Sequence, residues 1–157
     1  MRRTFKTQVL DKSGTLNRLT STFLRRQFNI VTLSVTPSTT PGISDLTFVA
    51  ELDEADQVQS LIRHLEKQVN VLTVQDITDT STYSVELLLV KVATPSEDET
   101  LHEFIQQSDA LVSVLKEEDG FTYLQAAGSE TALNQLLEQL SSLEIKQVSR
   151  TGTAALL

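Results

Sequence analysis

The stretch Asp11-Lys12-Ser13-Gly14-Thr15-Leu16 brings together the residue types needed to hold a small zwitterion. Gly14 has no side chain, so a ligand can approach its backbone. The N–H groups of Gly14, Thr15 and Leu16, at a helix start, lack intrahelical acceptors and can seat a carboxylate. Asp11 offers a negative charge to an ammonium, and Leu16 an apolar surface to an aliphatic side chain. Asp-x-Ser-Gly also caps helices for purely structural reasons, so these residues alone leave both readings open.

Other chemistry is poorly supplied. The 157 residues include no cysteine, which excludes disulfides, thiolate metal sites and cysteine nucleophiles, and only two histidines, His64 and His102. His64 sits beside the apolar stripe of a predicted helix and reads as a packing or surface residue. His102-Glu103 lacks the PCxxC partner that would give HxE a deaminase meaning. Glu97-Asp98-Glu99 follows Ser96, an expected N-cap, and Glu117-Glu118-Asp119 precedes Gly120 in an expected hairpin turn. Neither acidic run needs a metal to explain it.

Position of the candidate seat depends on the elements around it. Phe5, Thr7 and Val9 alternate with Lys6 and Gln8, a period of two that predicts a strand over Arg3 to Leu10. Leu16, Leu19 and Phe23 then share a helical face, with Arg18, Arg25 and Arg26 off it, and the helix is expected to end near Gln27. Ile30 to Thr36 alternates again, Pro37 to Gly42 reads as a loop, and Leu46, Phe48, Ala50 and Leu52 mark a strand. Val58, Leu61, Ile62, Leu65 and Val69 recur at helical spacing, with Asp53, Glu54 and Asp56 at the end that favours negative charge. Val71 to Ile77 predicts a short strand.

After a polar connection, Thr78 to Thr82, the order repeats. A strand over Val85 to Val92 precedes a helix with Leu101, Phe104 and Ile105. Strands at Leu111 to Lys116 and Phe121 to Gly128, a helix with Leu133, Leu136, Leu137 and Leu140, and a strand at Ile145 to Arg150 follow. The expected fold is α+β: two ferredoxin-like βαββαβ domains in tandem, residues 1–77 and 83–157, each an antiparallel sheet with its helices on one face. Domains of this size bury only about 60 to 65% of their unfolded surface. Sheet pairing between copies would offset such thin cores, so a homodimer is expected.

This topology hosts unrelated functions. An acylphosphatase-type GxVxGVxFR loop is absent, CxxC for metal transfer is impossible, and 5% aromatic residues argue against an RNA reader. No apolar run exceeds that of Leu87 to Val90, far below the ~20 residues of a membrane helix, and MRRTFKTQVL lacks a signal core. The expectation is a cytoplasmic protein engaging neither membrane nor nucleic acid. Residues 1–26 carry Arg2, Arg3, Lys6, Lys12, Arg18, Arg25 and Arg26 against Asp11 alone, a local +6 within a net charge of -8. That basic start is expected to meet an acidic partner.

Three ordered segments, VLDKSGTLNRLTSTFLRRQFNIVTLSVTP (Val9 to Pro37), ELLLVKV (Glu86 to Val92) and VSRTGTAAL (Val148 to Leu156), resemble the regulatory small subunits of acetohydroxyacid (acetolactate) synthase, which begin with an ACT domain. The resemblance covers nearly the whole chain. It implies a polypeptide with no catalysis or cofactor of its own. Its partner would be a separate catalytic large subunit carrying thiamine diphosphate, Mg and FAD. The chain would raise that subunit's activity and confer feedback inhibition by branched-chain amino acids, usually valine.

In such proteins ACT domains dimerise side by side, with the effector between the strand–helix turn of one chain and the segment entering the next strand of the other. Carried over, Asp11, Gly14, Thr15 and Leu16 would lie opposite Phe28, Asn29 and Ile30 of the partner subunit, Asn29 offering its amide to the carboxylate. Asp11 departs from the family's usual Asn and adds a charge that attracts an ammonium but repels a carboxylate. Asp45 replaces a basic residue, and the basic end common after RTGTAAL is missing, which is expected to change contact with the catalytic subunit. The alternatives are a free-standing ACT-domain sensor serving another enzyme or regulator, and a small hydrolase with a cryptic carboxylate site.

Overall fold

The computed structural model describes residues 1–52, 54–78, 80 and 82–156. Asp53, expected at the start of the second helix, and Asp79 and Ser81, within the expected connection, lie outside the described residues, as does Leu157. The chain forms two units, one of residues 1–83 with the end from Thr153 onward, the other of residues 84–152.

In the first unit β1 (Arg2–Leu10), α1 (Thr15–Arg26), β2 (Asn29–Pro37), β3 (Ile43–Glu51), α2 (Ala55–Glu66) and β4 (Val71–Asp76) follow in order. The ladders are antiparallel and the strand order is β2-β3-β1-β4. The period-two pattern sends Phe5, Thr7 and Val9 to the helix side, where they meet Leu46, Phe48 and Ala50 of β3. Phe5 stacks on Phe48 at 5.0 Å between ring centroids, and Phe23 of α1 meets Phe48 edge-on at 5.1 Å. Each such pair adds about 0.5–1.5 kcal/mol beyond the area it buries.

The helical stripe of α1 is Thr15, Leu19, Thr22 and Phe23. Leu16 stands at the rim of that stripe, not within it, and is 43% exposed. Val58, Leu61 and Leu65 are the buried side of α2. Val69, expected on the same stripe, lies beyond the helix end and is 82% exposed, because Gln68 N–H turns back to Leu65 O and starts the turn into β4.

The second unit repeats the plan: β5 (Tyr83–Val92), α3 (Glu99–Gln107), β6 (Leu111–Glu118), β7 (Phe121–Gly128), α4 (Glu130–Leu140) and β8 (Ile145–Arg150), with strand order β6-β7-β5-β8. A short strand, β9 (Ala154–Leu156), follows. Leu88, Val90, Val92 and Leu124 pack against Leu101, Leu133, Leu136 and Leu140. Even the ladder irregularities correspond. The register shifts at Gln8/Val9 and at Ile30/Thr32 in the first unit reappear at Lys91/Val92 and at Val114/Lys116 in the second. Ser96 is not the N-cap of α3. Asp98 accepts from Leu101 N at 3.0 Å, while Ser96 N–H and Oγ both donate to Glu117 of β6. The expected hairpin turn holds at Asp119 and Gly120, both at positive φ.

Candidate functional site

Leu10 ends β1 and the chain must reverse before α1 can pack back across the sheet. Two other loops hold that bend: Leu10 N–H donates to Asn70 O at 2.8 Å and Asp11 N–H to Gly42 O at 2.8 Å. Gly14 then adopts φ 82, a left-handed conformation that glycine enters without Cβ conflict, and serves as N-cap of α1. Among the described residues no side chain caps this helix. At α4 the usual solution applies, Ser129 Oγ accepting from Ala132 N at 3.2 Å, and α3 uses Asp98 in the same way.

The expected seat of three amides is reduced to two. Thr15 N–H closes a turn onto Lys12 O at 3.1 Å, which leaves the Gly14 and Leu16 amides without an acceptor among the described residues. Thr15 is buried, and its hydroxyl faces inward, donating to Leu10 O at 3.2 Å and accepting from Asn70 Nδ2 at 2.8 Å. Thr15 therefore shapes the bend, whereas Asp11, Gly14 and Leu16 are exposed beside it. An open amide pair, a nearby carboxylate and an apolar side chain can together bind a small zwitterion.

Phe28, Asn29 and Ile30 lie where α1 ends and β2 begins. Gln27, at φ 57, reverses the helix, with Gln27 N–H on Leu24 O and Phe28 N–H on Phe23 O. Phe28 and Ile30 pack against the core, while Asn29 is exposed and donates to Glu51 Oε2 at 3.0 Å. Asn29 and Arg2 both pair with Glu51 in the ladders, which places Asn29 at the end of the sheet where β1 begins. Asp11 and Gly14 lie at the end where β1 finishes. The length of α1, roughly 18 Å for twelve residues, separates the two groups within one chain.

Within the basic start, two cations meet carboxylates and two more meet a carbonyl oxygen and an imidazole. Arg2 faces Glu51 at 3.7 Å, Arg3 reaches Asp76 at 3.4 Å, Lys6 donates to Ala155 O, and Arg26 meets His64. Arginine can only donate, so His64 Nε2 accepts; Nδ1 then carries the proton toward Ser60 O. His64 thus links α1 to α2. Among the described residues no group of three or more His, Cys, Asp or Glu is disposed to hold a metal ion, and no helix is long and apolar enough to cross a membrane.

Known proteins match both units. Residues 5–73 match the family described as "AHAS small subunit-like ACT domain", and residues 85–157 match "Small subunit of acetolactate synthase". The acetolactate synthase small subunit of Bacillus subtilis is 35% identical over 156 residues, covering 99% of this chain and 90% of that protein. A probable acetolactate synthase small subunit of Methanothermobacter thermautotrophicus is 33% identical over 150 residues, covering 94% and 88%. The crystal structure of the acetolactate synthase small subunit from Thermotoga maritima superposes with a TM-score of 0.87 at 20% identity, over 99% of this chain and 96% of that one, a likeness of fold. With a relative above 30% identity aligned along nearly its full length, this chain belongs to the acetolactate synthase small-subunit family.

Proposed function

We propose that this chain binds the catalytic large subunit of acetolactate synthase in the cytoplasm, raises its activity and makes it subject to feedback inhibition by a branched-chain amino acid, valine foremost. Thiamine diphosphate, Mg and FAD belong to the catalytic partner. Residues 1–77 serve as the effector-binding ACT domain and residues 83–157 as the C-terminal domain. The observation that carries the effector reading is the glycine-opened N-terminus of α1, where two amides beside Asp11 have no acceptor among the described residues.

A two-fold pairing completes the site. Since Asp11 and Gly14 lie at one end of the sheet and Asn29 at the other, the two groups combine only when a second copy runs antiparallel alongside. The side available for this carries the edge strand β2 and the exposed apolar residues Leu16, Leu24 and Val35. A ligand that straddles two copies favours one placement of the chains and so biases whatever they hold.

The direct test is an assay of the catalytic subunit with and without this chain, each across valine, leucine and isoleucine. Activation together with inhibition by one of these amino acids supports the reading. A catalytic subunit indifferent to the chain would overturn it.

A further inference from the structure

The second unit, residues 84–152, holds twelve Asp and Glu against four cations: Lys91, Lys116, Lys146 and Arg150. In so acidic a setting each cation should find a carboxylate, and three do. Lys116 pairs with Glu118, Lys146 with Glu144 and Arg150 with Glu86. Lys91 has no carboxylate within ion-pair distance among the described residues, and its charge acts on Glu118 only at longer range. Its Nζ lies 4.1 Å from the centroid of the Phe121 ring and 5.1 Å from that of Tyr123, on the sheet face turned away from the helices. The rings hold the ammonium in place through their negative faces but accept none of its hydrogen bonds in the manner of an anion.

Beside this ammonium lies an apolar groove of ≈ 200 Å³, lined by Leu89, Leu115, Tyr123, Gln147 and Ser149 as well as Lys91. Two ladder irregularities adjoin it. Leu115 is the extra residue of the β6 shift between Val114 and Lys116, and the β5–β8 register shifts immediately after Lys91. Leu89 and Leu115 supply an aliphatic wall, and Ser149 and Gln147 supply further polar groups. No carboxylate lines the groove among the described residues, and Glu118, which feels the charge of Lys91, is engaged by Lys116.

We propose that this groove binds a short-chain aliphatic carboxylate that carries no amino group, its carboxylate on Lys91 and its hydrocarbon against Leu89 and Leu115. The volume suits a chain of about six heavy-atom groups. This site lies in the other unit from Asp11 and Gly14, and the proposal is independent of the effector reading there.

The test is NMR titration of the full chain with 4-methylpentanoate and, separately, with 4-methylpentylamine, which has the same carbon skeleton and the opposite charge. Saturable shifts are expected at Leu89, Leu115 and Tyr123, half-complete near about 1 mM for the acid and absent for the amine. Lys91→Met, which keeps an unbranched stem, is expected to weaken the acid about tenfold or more; Gly14→Asp is expected to leave it unchanged. The comparison of acid with amine needs no variant, so an unfolded Lys91→Met would not spoil the test. No saturable response to the acid, an equal response to the amine, or an undiminished response in folded Lys91→Met overturns the proposal. Shifts at these residues that follow protein concentration without ligand also overturn it, assigning the face to a second copy.

Discussion

Asn70 Nδ2 donates to Thr15 Oγ1 at 2.8 Å, and the same hydroxyl donates onward to Leu10 O at 3.2 Å. One buried side chain thereby joins the end of β1, the start of α1 and the loop before β4. Thr15→Val keeps the shape but leaves the Asn70 amide and one lone pair of Leu10 O without that partner. A loss of about 1–3 kcal/mol is expected, read as a lower urea midpoint at unchanged slope. Thr15→Ser, which retains the hydroxyl, should recover most of it.

Gly14 sits at φ 82 with nothing within 4 Å of where a Cβ would project, so a side chain there meets backbone strain but no steric wall. Gly14→Ala should cost about 1–2 kcal/mol for the left-handed conformation alone. Gly14→Asp should cost no more, since Asp tolerates that conformation better, yet it sets a second carboxylate beside the two open amides. Assayed with the catalytic subunit, Gly14→Asp is expected to lose valine sensitivity by about tenfold or more while activation persists. Sensitivity equal to the parent's would remove the Gly14 seat from the mechanism.

How far these features could be read from the residues themselves varied with the range of the interaction. The alternation of Phe5, Thr7 and Val9 and the helical spacing of Val58, Leu61 and Leu65 place β1 and the buried side of α2 directly, because burial on one face imposes the period. Gly14 as the opening of α1 was legible too, from local turn chemistry. Local chemistry failed at α3, where Ser96 and Asp98 both make suitable caps and the choice falls to Glu117, twenty-one residues away, which captures Ser96. The inward turn of Thr15 depends on Asn70, fifty-five residues later, and nothing near Thr15 announces it.

Thr7 lies at the centre of β1, fully buried, and its Oγ1 has no hydrogen-bond partner among the described residues. Valine is nearly isosteric and carries no hydroxyl to strip of water. Thr7→Val should therefore stabilise the first unit by about 1 kcal/mol, raising its melting temperature by roughly 4–8 °C. A lower melting temperature would mean that the hydroxyl finds a partner in solution.

Arg150, at the end of β8, ties that strand to two other elements of the second unit: its Nε reaches Glu86 of β5, and from α4 Nη1 donates to Asn134 Oδ1 at 2.6 Å and Nη2 to Glu130 O at 3.3 Å. Glu86 is 4% exposed, so removing the guanidinium takes a charged partner away from a desolvated carboxylate. Arg150→Met is expected to destabilise the unit by about 3 kcal/mol or more in chemical denaturation. Arg150→Lys should rescue little, because an ammonium cannot span three acceptors with the fork of a guanidinium.

Glu117 at the end of β6 receives both the Oγ and the N–H of Ser96, the latter at 2.8 Å, and these hydrogen bonds hold its carboxyl below the usual carboxylate range. Because the folded value is depressed, the clasp contributes fully above the unfolded carboxylate pKa and is lost as pH falls through the folded value. The Ser96 amide resonance should therefore show its Glu117-linked step at a pH below the ordinary carboxylate value. In Glu117→Gln the titrating group is gone, and the Ser96 resonance should lose that step. A Ser96 step at or above the usual carboxylate value, or one that survives in Glu117→Gln, would show that the Ser96–Glu117 bond does not fasten the start of α3 to β6.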